Sequence, residues 1–222
     1  MEDHHGDGKC CSGARADPFA AARPSAAGAW RSPLAIGQAG VTGTRAAGRR
    51  AGSELGVHMT EPPEWRHPAL LEVGGGTVAA DWIDYNGHMN VVHYRAAFDL
   101  ATDGLFAHLG FAPDRYNERV GATLMVLEEH TRYHAEATAG DAYRILAHLV
   151  GHSAKKLHYL FYMENLTRES LAATHEEIAL HVELSRRRSG PLPAEGLTAI
   201  EALEAAQADL PHPTDLGRVI AL

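Results

Sequence analysis

Near Leu70 the spacing of hydrophobic and polar positions along the chain becomes regular. Residues 76–83 (GTVAADWI) suit a strand that runs into a polar loop, DYNGHM, at 84–89. Apolar residues then recur at Val91, Tyr94, Phe98, Ala101, Leu105 and Leu109, with Asp99, Asp103 and His108 off that line. A spacing of three or four predicts an amphipathic helix of about five turns, beginning near Asn90 and stopped by Gly110. Val92, Ala97, Leu100 and Phe106 widen its apolar surface, so the helix is expected to be well buried. After an irregular link come four strand-like stretches, 122–136, 142–151, 157–164 and 171–185, separated by turn signals at 139–141, 153–156 and 165–170. In the first of these Met125, Leu127, Thr131 and Tyr133 are expected on one face, and Glu128, His130, Arg132 and His134 on the other, with Glu129 an acid on the apolar side. Such alternation describes a sheet with one face on a core and one less apolar face. Strand, long helix, then antiparallel meander predicts an α+β domain, one central helix wrapped by a curved antiparallel sheet of about five strands. Beyond Pro191 a short helix over roughly 194–208, with Leu197, Ile200 and Leu203 on one side, is expected to dock on the surface.

The 222 residues are 45% hydrophobic and 22% charged, a length and balance that suit one domain with tails. Charge is uneven. Residues 1–58 carry six Arg and Lys9 against five acids, a net of +2, which leaves −10 for the remainder of a chain whose total is −8. That segment also holds ten of the 22 Gly and only Phe19 and Trp30 as aromatics, so it cannot bury enough apolar surface to offset chain entropy and reads as disordered. It lacks an apolar export signal, its early acids argue against a transit peptide, and Met59 is an alternative start. The resulting plan is a tail over 1–65, a folded domain over 66–190 and a helical extension over 191–222. A net negative charge opposes nucleic-acid binding. No apolar run approaches the ~20 residues that span a bilayer, so no membrane role is expected. The two cysteines, Cys10 and Cys11, are adjacent; they exclude a disulfide framework and point to a reducing, cytoplasmic setting.

The densest polar cluster is Asp84 to Tyr94, where a strand meets a helix N-terminus with unpaired N–H groups and the positive end of the dipole. Gly87 lets backbone amides approach a bound group. A carbonyl oxygen there would be polarised, and a developing oxyanion stabilised by ~3 kcal/mol per well-aimed donor. Asp84 is placed to act as general base or nucleophile towards that carbonyl, with His88 and Asn90 positioning water or substrate. Capping by Asp or Asn and an Asx-turn before glycine explain a bare string of this kind without any catalysis.

DYNGHMNVVHY resembles the D-x-N-x-H-x-N-x-x-x-Y segment of hotdog-fold thioesterases, and Asp84-x-x-Gly87 is similar to the aspartate and oxyanion-hole glycine of the 4-hydroxybenzoyl-CoA thioesterase group. HTRYHAEATAGD (130–141), LVGHSAKKLHYLFYMEN (149–165), LAATHEEIALHVE (171–183) and the ending PHPTDLGRVIAL resemble the subfamily that contains betainyl-CoA thioesterase. The resemblance covers roughly residues 70–190. It implies a hotdog fold that hydrolyses an acyl-CoA without metal or organic cofactor, Asp84 attacking the thioester carbonyl or activating water, and Gly87 and His88 giving backbone N–H groups to the oxyanion. Asn86, His88 and Asn90 fall on the family's polar positions. It also implies a homodimer or a dimer of dimers with the site between protomers.

Other residues have competing explanations. His130, beside Glu128, could line the site, or be a surface or interface histidine on a sheet face. Lys155, like Lys156 and Arg186–Arg188, could meet CoA phosphates, although charges at hairpin tips are ordinary solubility devices. Trp82, Tyr85 and Tyr133 could cage a quaternary ammonium group, or serve as core and interface aromatics. The glycines at 74–76 are expected to precede a strand, so they form no dinucleotide loop. Asp84, His88 and His93 make a poor metal set, because a five-residue spacing puts the two rings on different faces. A non-catalytic acyl-CoA-binding module and a hotdog dehydratase are the rival functions.

Overall fold

A computed structural model of the chain describes residues 63–217 and Ile220. The expectations for residues 1–58, their disorder and the start at Met59, lie outside the described residues. The meander comes together as one antiparallel sheet. Its strands are β1 (Leu71–Thr77), β2 (Ala122–Tyr133), β3 (Ala142–His152), β4 (Lys156–Asn165) and β5 (Ser170–Glu183), in spatial order β1-β3-β4-β5-β2, with a two-residue β6 (Arg188–Ser189) added to β5. Helix α1 (Val91–His108) lies on the inner face, α2 (Pro113–Val120) follows it, and α3 (Ala194–Ala206) closes the chain's C-terminal part. A single helix held by a curled five-strand sheet is the hotdog arrangement the sequence implies.

The core forms where the two periodicities meet. Phe98, Ala101 and Leu105 of α1 are fully buried against Leu157, Tyr159, Phe161 and Met163, the alternate residues of β4. The other side of β4 is apolar too: Leu160 and Tyr162 join Leu70 and Leu146 in a second, smaller cluster covered by Trp65, Leu210 and Leu216. The expected polar outer face therefore fails at the sheet's centre, because the C-terminal extension covers that face and the strand beneath it is buried on both sides.

Several expectations need correction. The first strand is 71–77 rather than 76–83, and residues 80–82 form a 3-10 turn. The three glycines lie inside the strand, paired with Arg144, Tyr143 and Ile145 of β3. This stretch also packs tightly on α1: a Cβ at Gly104 would sit 2.3 Å from the Val73 carbonyl oxygen, so only glycine admits this helix-to-strand approach. The link at 111–121 contains α2, which starts on Pro113 and ends at Gly121 with φ +66. On β2 a register shift between Val126 and Glu128 turns the strand, so Ala122 and Leu124 point inward before it, and Leu127 is left exposed. After the shift Glu129, Thr131 and Tyr133 do face helix-side partners, Arg95, His175 and Tyr94. Helix α1 is also less covered than its pattern suggests: Val91, Val92 and Leu100 are exposed, leaving an apolar flank beside edge strand β2.

Candidate active site

The loop before α1 is a closed turn. Asp84 N–H donates to His88 O and Gly87 N–H to Asp84 O, both at 3.0 Å, while Asp84 Oδ1 accepts the Asn86 N–H at 2.7 Å. Gly87 has φ +87, a conformation that costs an L side chain, which is why glycine ends this turn. Met89 is buried and fixes the loop's far side: its N–H donates to Ala137 O, and Ile83 and Met89 form an isolated bridge. Asn90 caps α1, its side-chain oxygen accepting the Val92 N–H at 3.0 Å, and its own N–H donates to Trp82 O. Among the described residues nothing accepts from the backbone N–H groups of His88 and Val91, and nothing bonds Asp84 Oδ2. The Gly87 N–H is spent within the turn; the unbonded amides of this segment are those of Tyr85, His88 and Val91, and the last two lie at the helix end. Asp84, His88 and Asn90 are half-buried, and Tyr85, Asn86 and Gly87 are exposed. A half-buried carboxylate oxygen and two unspent amides thus share the positive end of an 18-residue helix.

Two buried carboxylates brace the fold, Asp141 at this end and Glu177 beneath the middle of α1. Asp141, at the start of β3, accepts from the Thr138 N–H, Asn165 Nδ2 and Arg168 Nε at 2.8–2.9 Å and fixes the 138–141 turn, whose backbone bonds Val78. Burial pushes its carboxyl up, but those hydrogen bonds outweigh it and hold it below the usual range. Beneath α1, fully buried Glu177 accepts from Thr102 Oγ1 (2.9 Å) and Tyr159 OH (2.5 Å) and pairs with His175 Nε2 (2.8 Å), while His175 Nδ1 meets Thr131 Oγ1 at 2.6 Å. Here too burial raises the carboxyl, but the His175, Tyr159 and Thr102 bonds prevail and keep it low. Burial and the adjacent carboxylate push the Tyr159 hydroxyl far up. Glu129, His175 and Glu177 bring ligand atoms within 4.8 Å of one another, yet Arg95 already pairs with Glu129, and the oxygens of Glu177 already hold three partners. Neither Asp141 nor Glu177 was singled out from sequence. The signal for Glu177 is present, since His175 and Glu177 alternate with Ala173 and Ala179 on the core-facing register of β5.

The remaining candidates separate. Trp82 stacks on His93 with ring centroids 5.2 Å apart, and Tyr133 meets Tyr94 edge-on at 5.2 Å, so neither of these contacts joins Trp82 to Tyr133. Tyr85 is almost fully exposed. His130 is half-buried on edge strand β2, opposite Glu176. Lys155 lies at the β3–β4 hairpin, where Nζ reaches Ser189 Oγ at 3.4 Å. The Asp84 loop packs near the other end of β3, so the strand's 11 residues put Lys155 about 35 Å away within one chain.

This combination of a hotdog sheet, a buried central helix and an acid-bearing loop at its N-terminus defines a thioesterase-type protein. The sequence pattern of the Thioesterase-like superfamily matches residues 78–204, and the chain belongs to that family of thioester hydrolases. It is 37% identical over 147 residues to the betainyl-CoA thioesterase of Pseudomonas aeruginosa, a match spanning 65% of this chain and 91% of the relative. It is 30% identical over 141 residues to the L-carnitine dehydrogenase/betainyl-CoA thioesterase of Rhizobium meliloti, of which it spans 28%. Among solved structures it is similar to the hypothetical protein SAV2348 of Staphylococcus aureus in complex with CoA, with TM-score 0.64 and 28% identity over 69% of this chain and 95% of that one.

Proposed function

We propose that this thioester hydrolase cleaves acyl-CoA at the Asp84 loop, and that betainyl-CoA is the first acyl group to test. The observation that carries the reading is the half-buried Asp84 residue, with one carboxylate oxygen unbonded, on the same short loop as the unspent His88 and Val91 amides. A thioester carbonyl seated at those amides would be polarised, and the tetrahedral oxyanion stabilised by ~3 kcal/mol per aligned donor. Asp84 then either adds to the carbonyl carbon and expels the CoA thiolate, leaving a mixed anhydride for water to open, or takes a proton from the attacking water. In the general-base route water gives OH to the acyl carbon. In the covalent route it adds to the Asp84 carboxyl carbon of the anhydride, and the acyl group leaves with an oxygen from Asp84. In both, a proton from water ends on the CoA sulfur. Single turnover in 18O-water separates them, because only the covalent route leaves the label first in Asp84. The betainyl assignment is supported by the name of the Pseudomonas relative and by a folded part whose net charge favours a cationic acyl group.

The site lies open in one chain, beside an edge strand exposing Leu127 and Tyr133 and a helix flank exposing Val92 and Leu100. A second copy pairing along β2 would cover this surface and wall the loop, so the working unit in this proposal is a homodimer. Light scattering behind size exclusion should give twice the chain mass; a monomer that hydrolyses thioesters at full rate contradicts the dimeric site. No helix among the described residues is long and apolar enough to cross a membrane, and we place the protein in the cytoplasm on its cysteine usage. The functional test is a thiol-release assay over short, branched, aromatic and betainyl thioesters, with enoyl-CoA hydration run alongside. CoA release led by the betainyl ester is expected. Tight acyl-CoA binding with no thiol released would replace the hydrolase by a binding module, and enoyl hydration without thiol release would replace it by a dehydratase.

A further inference from the structure

Past α3, residues 207–217 cross the outer face of the sheet as a strap. It begins at buried Gln207, whose side chain bonds the backbone of β3 at Leu149 N–H (2.8 Å) and Ala147 O (2.9 Å). Leu210 and Leu216 then pack on the small apolar cluster over β4. The far end is held by Asp215, which accepts from Thr174 Oγ1 at 2.8 Å and pairs with Arg132 and with His134 at 2.9 Å. Gly217 N–H finally donates to Glu176 Oε2 at 2.9 Å.

Along the first half of this strap is an open groove of about 330 Å³ between β3, the end of α3 and residues 210–213, away from the Asp84 loop. His148 of β3 lines it. The side chain is only 7% exposed, and no described residue hydrogen-bonds its ring. The titratable groups around it come from each packed segment: His67 from the N-terminal segment, His212 from the strap, and Glu204 from α3. Glu204 is already bonded by His152 Nδ1 at 2.7 Å. Imidazoles from three separate segments therefore lie near one another, and the mostly buried His148 has no hydrogen-bond partner among the described residues. Neutral, they pack; protonated, they would put like charges together around a mostly buried ring.

We propose that residues 207–217 are an acid-released latch over the outer face of the sheet, with His148 as its trigger. Burial, with His212 and His67 adding to it, lowers the His148 imidazole from 6.5 to about 4 while the strap is closed. Opening restores the ordinary value, so opening takes up a proton. The closed state thus keeps its full advantage above pH 6.5, loses it progressively as pH falls, and has lost all of this contribution by about pH 4. Linkage through this one group favours opening about 30-fold more at pH 5 than at pH 7.5. Opening would uncover Leu146, Leu160 and Tyr162 while leaving α1 and the Asp84 loop in place.

The test is limited proteolysis of the full chain at pH 7.5, 6.0 and 5.0, with cleavage sites read by mass spectrometry and rates normalised to an unfolded peptide containing the same bonds. Cuts confined to 207–217 should accelerate tens of fold between pH 7.5 and 5.0 in the wild type. His148→Gln, which cannot take the proton, should flatten that dependence, and the separate double variant His67→Gln/His212→Gln should weaken it. An unchanged pH profile in His148→Gln overturns the proposal, as does acceleration spread over the whole sheet or none at all. Should His148→Gln fail to fold, the histidine C2-proton titration of wild-type His148 by NMR decides: a midpoint near 6.5 with the strap protected removes the trigger.

Discussion

At the scale of single residues the 84–90 loop closes its turn through Asp84, Asn86 and Gly87, and the groups left unspent at its helix end are the basis of the functional reading. Asn90 closes the helix N-terminus with its side-chain oxygen, so Asn90→Ala should lower stability by about 1 kcal/mol in urea unfolding, while Asn90→Asp, an equally good cap, should retain it. Gly87 holds φ +87 with open space where a Cβ would be, so Gly87→Ala should cost about 1 kcal/mol by backbone strain without any clash. If that variant loses thioester turnover well beyond its loss of stability, the turn's shape rather than side-chain room is what the site needs. The cap and turn were legible from sequence because they are local: Asp-x-x-Gly closes its own hydrogen bonds. Which amide remains free was not legible. Gly87 N–H is consumed by Asp84 O, a pairing that depends on the turn's dihedral angles and not on residue type.

Among elements, α1 was readable end to end, since Asn90 starts it and the glycine after Leu109 stops it, both within one turn of the apolar pattern. Strand β1 was not, because three consecutive glycines carry no side-chain alternation and were expected to precede the strand rather than lie inside it. The close approach of α1 to this strand makes Gly104→Ala a sharp test: with the Val73 carbonyl 2.3 Å from the added Cβ, helix and strand must move apart, and a loss of about 1–3 kcal/mol is expected in thermal or urea unfolding. The turn of β2 at Val126–Glu128 escaped as well, because a bulge is set by the neighbouring strand and inverts an alternation that looks regular in sequence. The polar connection between α1 and the sheet runs through Glu177. Glu177→Leu leaves Thr102, Tyr159 and His175 without their acceptor, and a loss of about 3 kcal/mol is expected, detectable as a large fall in the urea midpoint.

Over the whole molecule the two depressed carboxyls and the two depressed histidines, His148 and His134, give stability a two-stage dependence on pH. Glu177 and Asp141 have folded values below their unfolded ones, so their contribution is present above about pH 4–5 and is lost as pH falls through the folded values. His148 acts earlier: its folded value of about 4 lies below 6.5, so stability should decline between pH 6.5 and 4 by about 3 kcal/mol before the carboxyls add their steeper loss. Urea unfolding at pH 7.5, 5.5, 4 and 3 should resolve both stages, and His148→Gln should shrink the first, leaving the part due to His134, without changing the second. The sheet's architecture was predictable at this scale from strand, helix and meander. The covered outer face was not, because the strap's contacts join residues such as Leu216 and Tyr162 that no local pattern links. These features hold one helix end at a fixed place on the sheet, with a carboxylate on the same short loop as free amides. The most direct measurement is the steady-state kcat of Asp84→Asn on the best acyl-CoA, in protein shown by unfolding to be as stable as the wild type. The account predicts a loss of about 10³-fold or more; a variant within tenfold of the wild type contradicts it.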